Sequence, residues 1–307
     1  MRSTKLSVAL AREALAARTE TANGWLQGTS PGRTVRRIID GLVGIELFDR
    51  SMTLAAKIFT SVLPVMIAVS TFSEWNVTAR SLEDQFGFDP SVLSSAVGTV
   101  DPTTPTFAAF GVFGLLMVAV SGTSFARALA RIYAKIWNVP AISLRDAWRW
   151  LVVLFAVALS ASAIAAAHEL TNLRYFGLTL ALVAELAIWW AVWTLCPYLL
   201  TMGTLKGRVL WASGALTAAG LTTIHAGGRL VLPRITETAQ HQFGAIGLVF
   251  TAISWLFVMS VVIVAAAVIT KAVALDESYI GRYLRGAVNG SEQSAESLPE
   301  NDGAHYE

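Results

Sequence analysis

The sequence is poor in charged residues, cysteine and histidine, and each shortage excludes a class of protein. Only 14% of its 307 residues are charged, against roughly 25% in ordinary globular domains, which argues against a water-soluble domain of normal composition. The single cysteine, Cys196, excludes an intramolecular disulfide and a cysteine metal cluster. A net charge of +2 gives no indication of nucleic-acid binding, and no Gly-rich phosphate loop followed by Lys-Ser/Thr is present.

What the sequence does contain is long apolar runs. Hydrophobic residues make up 54% of the chain, and its mean hydropathy is +0.57. Six runs approach the length needed to cross roughly 30 Å of hydrocarbon. We therefore predict an all-α fold in which residues 33–272 form a polytopic membrane bundle of six transmembrane helices. The predicted spans are residues 54–72, 107–125, 149–167, 176–200, 209–232 and 243–270.

The distribution of Lys and Arg predicts the orientation of this bundle. Eighteen of them fall in the N-terminal segment, the second and fourth loops and the C-terminal tail, whereas only Arg80, Arg174 and Arg234 fall in the other loops. Because cytoplasmic loops carry an excess of Lys and Arg, both termini are predicted to be cytoplasmic. Residues 1–32 lack the apolar core of a signal peptide, and the tail, 273–307, is expected to be disordered from about residue 286.

Two stretches are predicted to be amphipathic helices on the cytoplasmic membrane surface, residues 33–50 and 125–137. In the second, Arg127, Arg131 and Lys135 recur every four residues as one basic stripe. Each cation near an anionic leaflet contributes about 1 kcal/mol to membrane binding. The stripe is therefore a candidate site for lipid headgroups, and the alternative is that these cations only determine the topology.

Ionisable side chains inside the predicted spans are the other candidates. Glu185 lies near the midplane, where an ionisable group is costly and is by default a functional hypothesis. It would carry a proton, bind a cationic group, or act as a packing residue hydrogen-bonded across helices. Lys57 either extends to the cytoplasmic phosphates or forms a phosphate site with Arg127 and Arg131. Pairing of Lys57 with Glu185 is not expected, because they lie at different depths.

His225 and Arg229 are four residues apart in the fifth predicted span and share one helix face. Arg229 is expected to extend to the outer interface and not to bind a substrate. His225 either relays protons with Glu185 or is satisfied by a neighbouring carbonyl, which is the commoner arrangement. Together, Glu185, His225 and Lys57 form the predicted intramembrane polar site.

Four short motifs occur in the order and spacing of a known family. They are Ala55-Ala56-Lys57-Ile58-Phe59-Thr60-Ser61-Val62-Leu63-Pro64, with Ser61 and Pro64 as its fixed positions; Phe125-Ala126-Arg127-Ala128-Leu129-Ala130-Arg131-Ile132 with Ile136-Trp137-Asn138-Val139; Gly214-Ala215; and Phe243-Gly244 with Trp255. Over residues 35–272 they resemble the YihY/BrkB family of six-helix bacterial inner-membrane proteins, which includes YhjD. Two positions depart from the family, Lys57, where many members have an aromatic residue, and residues 266–268, where they have Gly-Ala-Glu.

The resemblance implies a multi-pass protein of the bacterial plasma membrane that contributes to envelope integrity. Transport of a lipid or lipid-linked anionic substrate is implied for some members, with the bilayer and its anionic lipids as partners. Many members also carry an old ribonuclease label. A metal-dependent nuclease needs closely spaced His and Asp ligands, whereas the four histidines here lie far apart in the sequence. We therefore expect no catalytic residue, no metal and no cofactor.

Three functions remain open from the sequence. A lipid handler would have a lateral polar groove open to the bilayer. A non-catalytic scaffold, the alternative, would be a filled bundle that binds partner proteins through its cytoplasmic helices. A small-solute transporter built from inverted repeats would need internal symmetry, and the six apolar runs show no convincing symmetry.

Overall fold

A computed structural model describes residues 29–72, 105–140, 142, 144–168 and 176–286. The predicted N-terminal segment up to residue 28, the outer-loop cations Arg80 and Arg174, and the tail from residue 287 lie outside these ranges. All regular secondary structure within the described ranges is helical, which confirms the predicted all-α fold. The helices are α1 (Ser30–Gly44), α2 (Leu47–Phe72), α3 (Pro105–Trp137), α4 (Trp148–His168), α5 (Gly177–Leu200), α6 (Gly207–Ala274) and α7 (Tyr279–Arg285).

Two described helical segments are long and apolar enough to cross a membrane. They are Gly177–Leu200, which is all of α5, and Ile246–Ala274, which is the second part of α6. Large apolar side chains cover the outer surface of several helices. Phe155 of α4, Leu178 of α5 and Phe250 of α6 are 68%, 63% and 73% exposed. Soluble monomers rarely expose large apolar patches of this kind.

The first two helices are separated by a sharp break. The Thr29 side chain accepts a hydrogen bond from the backbone N–H of Gly32 and caps α1, and Pro31 occupies its first turn. Glu46 ends this segment because its backbone has φ +56°, a conformation that no helix interior contains. The predicted amphipathic helix 33–50 is therefore divided, and its last residues begin α2, the helix of the first predicted span.

The prediction of a separate surface helix at 125–137 is wrong. Residues of the second predicted span and of this stretch form one uninterrupted helix, α3. Phe125, Leu129, Ile132 and Tyr133 are buried in the core, with α2 as the main partner of α3 and further packing on α5 and α6. Burial in this apolar environment raises the pKa of the Tyr133 hydroxyl. An amphipathic pattern shows that one face is buried, but it does not distinguish protein from lipid as the medium.

The fifth and sixth predicted spans are the two arms of α6, which reverses direction at Gly244. The backbone there has φ +59° and ψ −139°. The residues predicted as a connecting loop, 233–242, are helical and extend the first arm. Gly228 of the first arm lies so close to Trp255 of the second that a Cβ atom on Gly228 would overlap the indole ring. The arms are therefore antiparallel and tightly packed.

Segments that the sequence places on one side of the membrane meet at one end of the bundle. Arg37 of α1 donates a hydrogen bond to the carbonyl of Leu275, just after α6, at 3.1 Å. Arg149, at the start of α4, donates to the carbonyl of Leu199, near the end of α5, at 3.2 Å. The ammonium of Lys271, in the last turn of α6, donates to a carbonyl at the end of α3. We call this end, defined by Arg37, Arg149 and Lys271, the basic end.

Asp276 joins three helices at the basic end. Its carboxylate lies 3.5 Å from the guanidinium of Arg37 in α1 and accepts from the backbone N–H of Ser278, the N-cap of α7. Hydrogen bonds from Ser278, then from Thr34, hold the pKa of Asp276 below its ordinary value. The ionised carboxylate therefore stabilises the junction of α1, α6 and α7.

The Gly244 turn generates the first prediction. Gly244→Ala places a Cβ atom on a backbone that non-glycine residues rarely adopt, and such strain costs about 1–3 kcal/mol. We expect a lower thermal unfolding midpoint for the detergent-purified variant. Gly227→Ala is the matched control, because Gly227 is helical and a Cβ there would meet nothing within 4 Å. The control should be neutral or stabilising, and equal losses in both variants would contradict a special role for the turn.

The Asp276 junction generates a pH prediction. Because its pKa is lowered in the folded state, Asp276 contributes stability above about pH 4, the ordinary Asp value, and this contribution is lost as pH falls through the folded-state pKa. Asp276→Asn should therefore lower the unfolding midpoint more at pH 7 than at pH 3, which lies below the ordinary Asp pKa. A difference from wild type that is the same at both pH values would show that the charge is not responsible.

Candidate functional site

The structure brings together three ionisable residues of the predicted membrane spans. Glu185 lies about 12 Å along α5 from its first residue, and its side chain is 1% exposed. His225 and Arg229 project from the first arm of α6. His225 Nδ1 lies 2.7 Å from Glu185 Oε1, and Arg229 Nη2 donates to Glu185 Oε2 at 3.2 Å. We call these three residues the buried triad.

Helix geometry and a close helix contact explain how the triad forms. Residues four apart lie on the same face of a helix, so His225 and Arg229 both face α5. At Gly214, a Cβ atom would lie only 2.9 Å from the backbone nitrogen of Thr194, so the two helices approach almost backbone to backbone. Small residues allow such an approach between membrane helices.

The interpretation of Arg229 as a residue that extends to the outer interface is wrong. Its side chain is 30% exposed and its guanidinium binds Glu185. His225 contacts the Glu185 carboxylate, as the proton-relay alternative requires. A carboxylate in an apolar environment is unfavourable without compensating charge or hydrogen bonds, and this requirement outweighs the solvation of Arg229 at the interface. Two features of the sequence pointed to this contact: an acidic residue, Glu185, in an apolar run, and the shared helix face of His225 and Arg229.

The triad has two chemical capacities. It compensates the charge of a carboxylate inside an apolar bundle, because Arg229 supplies an opposite charge and His225 a second polar contact. In addition, a histidine nitrogen and a carboxylate oxygen at 2.7 Å are within the distance over which a proton passes between them. Both the structural and the proton-carrying interpretations of Glu185 are compatible with this geometry.

Substitutions within the triad test whether charge compensation stabilises this part of the bundle. Glu185→Ala removes the carboxylate from Arg229 and His225, and loss of one partner of a buried ion pair costs about 3–5 kcal/mol. Partial exposure of Arg229 favours the lower end of this range. We expect a large drop in unfolding midpoint for Glu185→Ala, and near-wild-type stability when Glu185, His225 and Arg229 are all replaced by Leu, because apolar replacement of a complete buried network is close to neutral.

The outcome that contradicts this account is a triple variant as unstable as Glu185→Ala. It would mean that packing, and not charge compensation, determines the stability of this part of the bundle. Glu185→Gln provides a further control, because it keeps the shape and an acceptor oxygen but removes the charge.

A second polar feature lies toward the basic end, on α3. A cavity of about 350 Å³ is lined by Ser124, Arg127, Arg131 and Trp150 among others. The guanidinium of Arg127 lies over the Trp150 ring, 5.5 Å from its centroid, and its Nε donates to the carbonyl one turn earlier. The ammonium of Lys57 in α2 donates to the Ser124 hydroxyl at 2.9 Å. Arg127 and Arg131 therefore line one site, which we call the α3 cavity, and Lys57 contacts one of its lining residues, Ser124.

The predicted basic stripe is divided by the structure. Lys135 is not among the residues that line the α3 cavity, and its ammonium lies 3.8 Å from Glu46, which also lies 3.5 Å from Arg50. The physical reason is helix pitch. Each step of four residues turns about 40° beyond a full circle, so Lys135 is displaced by about 80° from Arg127 around α3. Lys135 therefore does not line the α3 cavity with Arg127 and Arg131, and its part in headgroup binding stays a prediction.

The family-motif residues occupy positions of local structural importance. Ser61 donates its hydroxyl hydrogen to the carbonyl of Lys57 at 2.8 Å. Gly214 and Gly244 provide the close α5 contact and the turn of α6, and Trp255 packs against the first arm. The backbone of α2 continues through Pro64, whose side chain lies outside the described part of the structure.

Sequence reasoning missed two residues of the α3 cavity, Ser124 and Trp150. A serine in an apolar span and an interfacial tryptophan are too common to signal a site without knowledge of their neighbours. In the described ranges, no group of three or more His, Cys, Asp or Glu side chains is arranged to hold a metal ion. Comparison with the models of known protein families, with curated proteins and with solved structures gives no significant match.

Proposed function

We propose that this chain is a multi-pass protein of the bacterial plasma membrane, of the YihY/BrkB type, that handles an anionic lipid or lipid-linked substrate and has no enzymatic activity. In this proposal six helices span the bilayer, both termini are cytoplasmic, and the protein contributes to envelope integrity. The observation that carries the proposal is the α3 cavity, which Arg127 and Arg131 line and whose lining residue Ser124 accepts a hydrogen bond from Lys57.

Exposed apolar surface supports the placement in a membrane. The helices α4, α5 and α6 present large apolar side chains outward, and two segments have the length and composition of spans. Four predicted cytoplasmic segments meet at the basic end. This meeting supports the six-span topology, because an odd number of missed spans between two of these segments would place them on opposite sides of the membrane. The basic end then lies at the cytoplasmic leaflet, where anionic lipids attract cations.

The α3 cavity suits a phosphate-bearing headgroup. Arginine binds phosphate through paired N–H groups, and lysine binds it as a point charge. Trp150 holds the Arg127 guanidinium from one side by a cation–π contact. The buried triad supplies an ionisable element deeper in the bundle, where a coupled proton would be carried.

Lipid movement between leaflets tests the proposal. Purified protein in liposomes should move a fluorescent anionic phospholipid, such as phosphatidylglycerol, faster than empty liposomes do. We expect Arg127→Ala/Arg131→Ala to reduce this rate about tenfold or more, because two headgroup-binding cations are lost. Glu185→Gln should reduce it if the triad is part of the route.

The matched control is Arg33→Ala/Arg145→Ala, which removes two exposed cations elsewhere and should leave lipid movement unchanged. Equal reduction by both double variants would mean that only surface charge matters. No movement above empty liposomes, for anionic or zwitterionic lipids, would overturn the proposal.

A scaffold is the second candidate, and α1 provides the observation that favours it. Val35, Ile39 and Val43 form an exposed row along α1, and Phe48 at the start of α2 is 71% exposed. Such a row binds either the membrane surface or an apolar face of another protein. If the protein moves no lipid, this row is the surface at which binding of a partner protein should be tested.

A further inference from the structure

A second and larger basic groove lies between the start of α6 and α7. Its volume is about 750 Å³, and four cations and two tyrosines contribute most of its lining. The lining side chains are Lys206, Arg208, Arg282, Arg285, Tyr279 and Tyr283. No acidic side chain of the described residues lines it. We call it the α7 groove.

Backbone carbonyl groups hold three of these cations in place. The Lys206 ammonium donates to the carbonyl of Arg285, and Arg208 donates to the carbonyl of Tyr283 at 3.1 Å while lying 4.7 Å from the centroid of that ring. Arg285 donates to the carbonyl of Asp276 at 2.9 Å. These acceptors are neutral, so they fix the positions of the cations without cancelling their charge.

The charge of the α7 groove is therefore not balanced by its own walls. The Asp276 carboxylate, the buried acid of this junction, accepts from Ser278 and faces Arg37 of α1. Four positive charges held close together repel one another, and an anion in the groove relieves this repulsion. Arginine side chains keep several N–H donors for such an anion after one has bonded to a carbonyl.

An apolar groove adjoins the α7 groove. It has a volume of about 580 Å³ and lies between α5 and the start of α6. Leu205 and Gly207 line this apolar groove, whereas Lys206 and Arg208 line the basic one. Consecutive Cα atoms are 3.80 Å apart, so the two grooves lie next to each other on either side of this segment.

Aromatic side chains give the apolar groove a fixed shape. Trp190 and Trp211 meet edge to face with their ring centroids 5.2 Å apart, and the Trp190 indole N–H donates to the Trp211 carbonyl at 3.1 Å. Tyr198 lines the same groove and is half-exposed. Tryptophan and tyrosine favour the level of lipid headgroups and upper acyl chains in a bilayer.

We propose that these two grooves bind one anionic phospholipid, with its phosphate and anionic headgroup in the α7 groove and an acyl chain in the apolar groove. A basic site beside an apolar one matches the two chemical parts of a phospholipid, and a soluble phosphate compound would leave the apolar groove empty. The site is distinct from the α3 cavity, which α3 and α4 line. The inference rests on the membrane placement in the proposed function, but it requires no lipid movement.

Equilibrium binding to the detergent-purified full-length protein tests the inference. The probes are phosphatidylglycerol, phosphatidylcholine with the same acyl chains, and glycerol phosphate, and the readouts are native mass spectrometry and the thermal shift on titration. Wild type should retain one phosphatidylglycerol preferentially. Arg208→Gln/Arg282→Gln should weaken that binding roughly thirtyfold, the loss expected for two interfacial cations.

Three further variants keep the test decisive. Arg33→Gln/Arg145→Gln, which removes two exposed cations elsewhere, should change binding less than threefold. Arg282→Gln alone guards against unfolding of α7, because Arg282 is exposed, and should weaken binding about fivefold. Ala191→Phe, at an exposed position of the apolar groove, should weaken the lipid but not glycerol phosphate.

Each contrary result overturns the inference. Equal retention of phosphatidylglycerol and phosphatidylcholine would exclude a headgroup site, and equal affinity for glycerol phosphate and the lipid would exclude the acyl-chain groove. Equal losses in the two double variants would indicate nonspecific charge. Because binding is measured without liposomes, it can fail while lipid movement through the α3 cavity persists, and the reverse outcome is equally distinguishable.

Discussion

The carboxylate of Glu185 is the constraint on which the packing of α5 and α6 depends. An ionised acid surrounded by apolar side chains is tolerated only when its charge is compensated, and both compensating groups come from the first arm of α6. The first arm must therefore keep a defined rotation about its own axis and a defined position along α5. Gly214 allows the first arm to lie close to α5. Gly228 of the same arm contacts Trp255, so the position of the second arm depends on that of the first.

Polar contacts at the basic end also hold the helices together, in addition to the buried triad. Burial of leucine against leucine gains little when lipid is the alternative environment, so polar contacts and close packing matter more than in a soluble core. Arg149, Lys271 and Arg208 each donate to a carbonyl at or near the C-terminal end of another helix. Carbonyls in the last turn of a helix have no partner four residues on within that helix, and they carry the negative end of its dipole. The cations that determine topology in the sequence thus also fasten the helix ends.

Composition and apolar run length were sufficient to predict the helical fold and the approximate extent of the helices. They were not sufficient to locate the connections, because the turn at Gly244 depends on a single φ angle and not on a polar loop. The amphipathic pattern of residues 125–137 identified a buried face correctly but assigned it to lipid. For the site, spacing placed His225 and Arg229 on one face, whereas their contact with Glu185 depends on the distance between two helices.

The turn at Gly244 also bears on how the chain is made. Glu185 precedes His225 by 40 residues, so the acid leaves the ribosome well before the groups that compensate its charge. Because the two arms of α6 are joined without a loop, the first arm is fully covered only after the second has been synthesised. Formation of the two arms as one hairpin would thus complete the environment of an acid that was synthesised earlier. The order of synthesis leaves Glu185 without its partners on α6 until the first arm has been made.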